Sequence, residues 1–450
     1  MFVRQFQLYL HTRNFAQFYL SSASDKEGLL NFSSFQRFNV STSQLLNFSM
    51  PTRIPWLDYL RVAACLMVMI VHSTEPFYLG GEGSRILTAS DAFWASFFDS
   101  FVRSCVPLFV IASSYLLFPV QTSTGTFFRR RVSRLLVPFV IWTLVYAFVW
   151  GEPADNLHAL LLNFNYAAGH LWFVYMLVGV YLVMPLLSPW AERVGRRELL
   201  AYLGVWAFTL LIPFIREAAS GGELLVIHGP TGIPNPAAYP LWGEASWNGY
   251  GAFYYVSGFI GYLLMGLYFR RFVPQLSWRR TLAIGLPAWL AGFALCFGGF
   301  LARVYATSST FPFEGSIDYA VGWEVPWYND TLGVALMAIG WVLLFRQIGD
   351  AMESRWTRDT ADEHHRGAFY SRVLVPVSKA SYGMYLCHML VLAYVSGALR
   401  EWLGTADSGC LGFWTTPIEI LLTAIATFAV TAIVCTLIQR IPRVGKWLVG

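Results

Sequence analysis

Residues 54–78 read IPWLDYLRVAACLMVMIVHSTEPFY. An apolar run of this length crosses a bilayer as a helix, which takes about 20 residues, yet this one carries Asp58, Arg61 and His72. Each ionisable group in a span costs about 2.5–3.5 kcal/mol on insertion, so each one asks for a function or a partner. Nine further runs of the same kind follow, at 92–118, 132–150, 171–188, 199–215, 252–270, 281–301, 329–347, 379–399 and 417–438. The runs are too long and too continuously apolar for the ten-residue alternating strands of an outer-membrane barrel. The fold expected is an all-α integral membrane protein of about ten transmembrane helices.

Composition agrees, with 56% apolar and 13% charged residues and a mean hydropathy of +0.50. A soluble domain carries about 25% charged residues, so a water-facing enzyme and a disordered scaffold are both excluded. The net charge of +5 does not indicate a nucleic-acid partner, because the basic residues follow the membrane topology. With loops assigned alternately, all but six of the 31 Lys and Arg residues fall on the side of the N-terminal tail. The exceptions are Arg85, Arg216, Arg303 and Arg400 opposite, and Arg61 and Arg103 within spans. Both termini are therefore expected in the cytoplasm. The opposite loops carry acids instead, and two of them, 216–251 and 302–330, are rich in Gly, Pro, Trp and Tyr, which suits caps that hold a substrate.

Residues 1–54 are a tail of another kind, rich in Ser, Asn, Gln and Phe, with LLNFS at both 29–33 and 45–49. No apolar segment there precedes a small-residue cleavage site, so the tail is expected to be cytoplasmic, an upstream extension or misassigned start, and to hold no site. Residues 55–450 form the transmembrane domain. Of six cysteines only Cys410 lies in a loop and no C-x-x-C occurs, so neither a zinc site nor a disulfide framework is expected.

Arg61 and His72 are eleven residues apart, within ~20° of three full helical turns, so they share a face separated by ~16 Å. The alternative is a snorkelling Arg61 and a His72 that only bonds a neighbouring helix. In FFRRRVSRLLVPFVIW, Arg131 and Arg134 are neighbours on a helix surface, and Arg134 is expected to dip inward. Positive-inside anchoring and a grip on a phosphate from the cytosol both explain them. Arg103 is expected to face the bundle interior, paired with Asp99 or Glu75. His170 at the outer mouth and His388 in the ninth span complete the candidates, His170 also suiting an interfacial aromatic belt. His364 and His365 are read as solvated. Phosphate-cradling glycine motifs, G-x-S-x-G and H-E-x-x-H are absent, and no metal is expected.

Taken in order, these phrases resemble the acyltransferase-3 family of multi-pass membrane acyltransferases, from residue 55 to the end. The resemblance is carried by Arg61 and His72 in the first span, VPLFVIASSYLL in the second, Arg131 and Arg134, HLWFVYMLVGVYLVMPLL and SYGMYLCHMLVL. Ser113, Ser114 and Tyr115 stand where the family pattern has Ser-Gly-Phe or Ser-Gly-Tyr. Arg103 ahead of Val-Pro-Leu-Phe is similar to the branch containing the O-acetyltransferase of enterobacterial common antigen. The resemblance implies transfer of acetyl from cytosolic acetyl-CoA to a hydroxyl of a cell-surface glycan or its lipid-linked precursor, in the bacterial plasma membrane. It implies His72 and Arg61 as catalytic residues, Arg131 and Arg134 as the donor-binding pair, and Arg103, His170 and His388 as substrate or support residues. Histidine suits removal of the hydroxyl proton, its unperturbed pKa being about 6.5. Direct attack and an acyl-His72 relay both remain open. The rival class is a secondary transporter or flippase for a lipid-linked saccharide, which would show internal repeats and helices broken at corresponding positions in two halves. No such symmetry is found in the sequence.

Overall fold

The computed structural model describes residues 53–79, 85–150, 152–160, 168–219, 250–308, 310, 314–318, 320–358, 369–404, 412–442 and 444–450. The chain divides into two units, 1–53 and 54–450. The expectations for the tail, His364, His365, Cys410 and most of loop 216–251 lie outside the described residues.

Ten helices long and apolar enough to cross a membrane are present among the described residues, one for each expected run. They comprise α1 (Pro55–Thr74), α2 and α3 (Ala89–Val102 and Cys105–Leu117, together one span), α4 (Thr124–Val149) and, after the short α5 (Pro153–Ala159), α6 (Trp172–Arg193). Then come α7 (Arg196–Thr209), which the short α8 (Ile212–Ala219) extends, α9 (Phe259–Phe272), α10 (Trp278–Ala306), α11 (Leu332–Arg358), α12 (Val375–Leu403), α13 (Thr415–Gln439) and the short α14 (Gly445–Leu448). The strands described are a two-residue antiparallel pair, Arg85–Ile86 with Ile317–Asp318. Helix starts carry side-chain caps: Ser123 accepts from the Thr126 amide and Ser277 from the Arg280 amide, while Thr88 and Asp91 bond reciprocally at α2.

Helix α1 packs against α2, α3, α11, α12 and α13. That encirclement takes its polar residues out of lipid. Asp58 is buried and accepts hydrogen bonds from the Tyr370 and Ser378 hydroxyls at 2.7 and 2.6 Å, tying the first turn of α1 to the start of the ninth span.

The second span is broken. Helix α2 ends at Val102 and α3 begins at Cys105, with Arg103 and Ser104 between them and Pro107 in the first turn of α3, where a missing N–H costs nothing. Non-helical backbone at membrane depth survives only inside protein or beside a cavity, and here it meets one. Close packing elsewhere relies on small residues. Ser114, in the place of the family's glycine, is buried and donates to the Leu263 carbonyl at 2.5 Å, and the glycine of that contact is Gly266 on α9. Between α10 and α11, a Cβ on Gly340 would come within 2.7 Å of the Gly285 carbonyl.

Candidate active site

His72 ends the polar series on α1, near the face opposite the basic loops. Glu75 follows in the 3₁₀ turn Glu75–Phe77, three residues on and so above the same face. His72 Nδ1 donates to Glu75 Oε1 at 2.7 Å, with both side chains partly exposed. That bond leaves Nε2 of a neutral imidazole as its basic nitrogen.

Two other spans bring histidines to the same place. The ring of His388 lies 4.9 Å from His72, and the ring of His170 lies 5.0 Å from His388, edge to face. His388 Nδ1 donates to the Tyr385 carbonyl at 2.5 Å, and the Tyr385 hydroxyl donates to the His170 carbonyl at 2.6 Å. Both His388 and His170 are buried, and the Nε2 of each makes no hydrogen bond among the described residues. An aromatic-belt histidine would face the interface, so its burial removes that reading for His170. The 3₁₀ turn Gly169–Leu171 before α6 tucks its ring against Tyr146, 5.0 Å away.

Arg103 enters from the break in the second span. Its Nη1 donates to both Asp99 oxygens at 3.0 and 3.2 Å, and its Nε to the Trp327 carbonyl at 2.9 Å. Of the two acids expected as its partner, Asp99 takes the role and Glu75 goes to His72. Asp99 also accepts from Thr74 at 3.0 Å, so the guanidinium is fixed to the helix that carries His72. The Trp327 indole donates to Ser100 at 2.8 Å, closing the network. Beside it, Tyr78 is buried and meets the Trp327 ring edge-on, the ring centres 5.4 Å apart.

His72, Glu75, Arg103, His170 and Tyr385 line one cavity of about 140 Å³, with Trp172, Phe173 and Phe109 among its apolar walls. An engineered cavity of ~150 Å³ accepts benzene, so this chamber has room for a short acyl group and a hydroxymethyl but not for a sugar ring beside them. It joins a base, an acid that orients the base, and a fixed cation, the parts that acyl transfer needs.

Arg61 is half-buried on α1 and does not line the chamber. Arg131 and Arg134 do not line it either. Arg131 is half-buried with its guanidinium 5.8 Å from the Phe127 ring, and its Nε makes no hydrogen bond among the described residues. Arg134 is exposed, so the inward member of the pair is Arg131, contrary to the expectation. Sequence reasoning offered Glu75 only as a partner for Arg103; the signal that ties it to His72 is their three-residue spacing.

A family model described as an acyltransferase domain matches residues 54–437, a stretch that contains every residue named in this site. No curated protein and no solved structure matches the chain.

Proposed function

Because the chain belongs to the acyltransferase-3 family, a membrane acyltransferase, we propose that it moves acetyl from acetyl-CoA to a hydroxyl of a cell-surface glycan or its lipid-linked precursor. The observation that carries the proposal is the cavity that the His72–Glu75 pair and Arg103 line together. The acceptor oxygen attacks the thioester carbonyl carbon as His72 Nε2 takes its proton. The C–S bond then breaks, and the proton held on His72 passes to the departing thiolate to give free CoA. Glu75 holds the imidazole in the required tautomer and balances the charge it gains, as a carboxylate does in hydrolase triads. Arg103, whose Nη2 takes no part in the Asp99 and Trp327 bonds, is the donor available to the developing oxyanion.

The donor reaches this point from the basic face. From Arg131 to Tyr146, whose ring touches His170, is fifteen residues of α4, a rise of ~22 Å. Acetyl-CoA carries its phosphates and its thioester at opposite ends of a long arm, which matches a half-buried Arg131 at one end and the chamber at the other. The charge bias supports a cytosolic basic face with both termini in the cytosol; a surface-glycan acceptor would put the protein in a bacterial plasma membrane.

The test is acetyl-CoA turnover by the purified protein in nanodiscs, with glycan precursors as acceptors. Wild type should release CoA in an acceptor-dependent manner, and His72→Ala should lose at least 10²-fold. Turnover by His72→Ala above a tenth of wild type would sink the catalytic assignment.

A further inference from the structure

Acyl transfer places a negative charge on the thioester oxygen, and sites that stabilise such a charge aim fixed hydrogen-bond donors at it, commonly more than one. Arg103 supplies one. The wall of the chamber holds a further polar residue, Asn329, in the connection between the 3₁₀ turn Val325–Trp327 and α11. Among the polar side chains that line the chamber, His170 at Nε2 and Asn329 at its carboxamide make no hydrogen bond to the described residues. A carboxamide carries two N–H donors, so both of these are unspent. Asn329 does not cap the helix that follows it either. The hydroxyl bonded just before α11 is that of Thr331, which donates to the Tyr328 carbonyl at 2.8 Å.

The backbone around Asn329 is pinned, and pinned to Arg103. Two residues before it, the Trp327 carbonyl accepts from Arg103 Nε at 2.9 Å. Trp327 is itself wedged, its ring stacked on Phe300 at 3.9 Å and its indole bonded to Ser100. The Asn329 carbonyl accepts from the buried Tyr262 hydroxyl of α9 at 2.5 Å. Tyr262 does not line the chamber, so the main-chain oxygen is committed elsewhere and the carboxamide is left to serve the cavity. Chemistry then sorts the groups that face the reacting atoms. His72 Nε2 takes a proton and belongs at the acceptor hydroxyl; Arg103 and Asn329 only donate to an anion, are tied to one segment, and belong at the carbonyl oxygen. A donor already fixed by its backbone needs no reorganisation as the charge develops.

We propose that Asn329 is a further catalytic residue, its carboxamide the second donor, beside Arg103, to the oxygen of the thioester carbonyl. The assignment rests on the acyl-transfer reading. As the acceptor hydroxyl adds to the carbonyl carbon, the C=O π pair moves onto that oxygen, where the Asn329 N–H donates a hydrogen bond and keeps its proton; the pair returns to the carbon as the C–S bond breaks. The test uses the full chain in nanodiscs with acetyl-CoA and with its dithioester analogue, in which the carbonyl oxygen is replaced by sulfur, a weak hydrogen-bond acceptor. Asn329→Ala should lower kcat about 10²- to 10³-fold, with CoA affinity unchanged as the check on folding and KM for either substrate within about threefold. Asn329→Asp, which keeps the shape and loses the N–H, should fall at least as far. The ratio of oxygen to sulfur rates should shrink about tenfold or more in Asn329→Ala, a readout internal to each variant that a smaller folded fraction does not move. A kcat within threefold of wild type in Asn329→Ala, or an unchanged oxygen-to-sulfur ratio, overturns the proposal. So does a raised acceptor KM at preserved kcat, which would make Asn329 an acceptor contact. Variants that match a wild type releasing CoA remove this assignment alone, whereas a wild type that releases no CoA removes the acyl-transfer reading and the assignment with it.

Discussion

Replacing Glu75 with Gln tests whether the His72 pair works as a catalytic unit. Gln keeps the shape and an acceptor oxygen but removes the charge that offsets an imidazolium. The pair is 2.7 Å apart with side chains 18% and 27% exposed, so it is only partly shielded from water. A hydrogen bond to a charged partner contributes about 1.5–3 kcal/mol net, and partial exposure places this pair in the lower half of that range. Loss of about 1.5–2 kcal/mol from the transition state lowers kcat about 10- to 30-fold. Because the charge develops only during proton transfer, KM for both substrates should stay within about twofold. The assay is transfer of radiolabelled acetyl at saturating donor and acceptor, with Glu314→Gln, an exposed acid that does not line the chamber, as the control. A Glu75→Gln enzyme within threefold of wild type in kcat would refute the dyad. So would a fall in activity matched by the Glu314→Gln control.

On the donor side, Arg131→Ala should weaken CoA affinity about 10- to 150-fold by calorimetry while Arg134→Lys stays near wild type, because only Arg131 is tucked against the bundle. Equal affinities in wild type and Arg131→Ala would end its role as a phosphate contact. Gly340→Leu should cost about 1–3 kcal/mol and lower the melting temperature in detergent, since its Cβ would meet Trp289 at 2.6 Å; Gly298→Leu, in open space, should not. Reporters fused after Arg130 and after Arg280 should read as cytosolic and one near Gly315 as external, and an inversion at any one of them breaks the orientation.

The ten spans were legible because hydropathy and length decide what crosses a bilayer, whatever the tertiary contacts. The break at Arg103 was hidden by the same signal: apolar residues flank it on both sides, and only Pro107 hinted that a new helix starts there. The three histidines were each visible, but their convergence was not, since it depends on α12 packing against α1 and on the 3₁₀ turn that tucks His170 inward. Arg134 was misjudged by counting depth along the helix alone. Which way a side chain faces around the axis depends on neighbours such as Phe127 that span periodicity does not identify.

The hydrogen bonds at Asp58 also set a timetable for biogenesis. Of the ten spans α1 is the first to leave the ribosome, but its partners Tyr370 and Ser378 lie 312 and 320 residues later. At about 5–20 residues per second, that carboxylate waits roughly 15–60 s for its donors. Through that interval the first span lacks these two hydroxyl donors and must be held by the insertion machinery or by provisional neighbours. A nonsense mutation before the ninth span would therefore leave the first turn of α1 without its tie to that span, and such fragments should be short-lived substrates of membrane proteases.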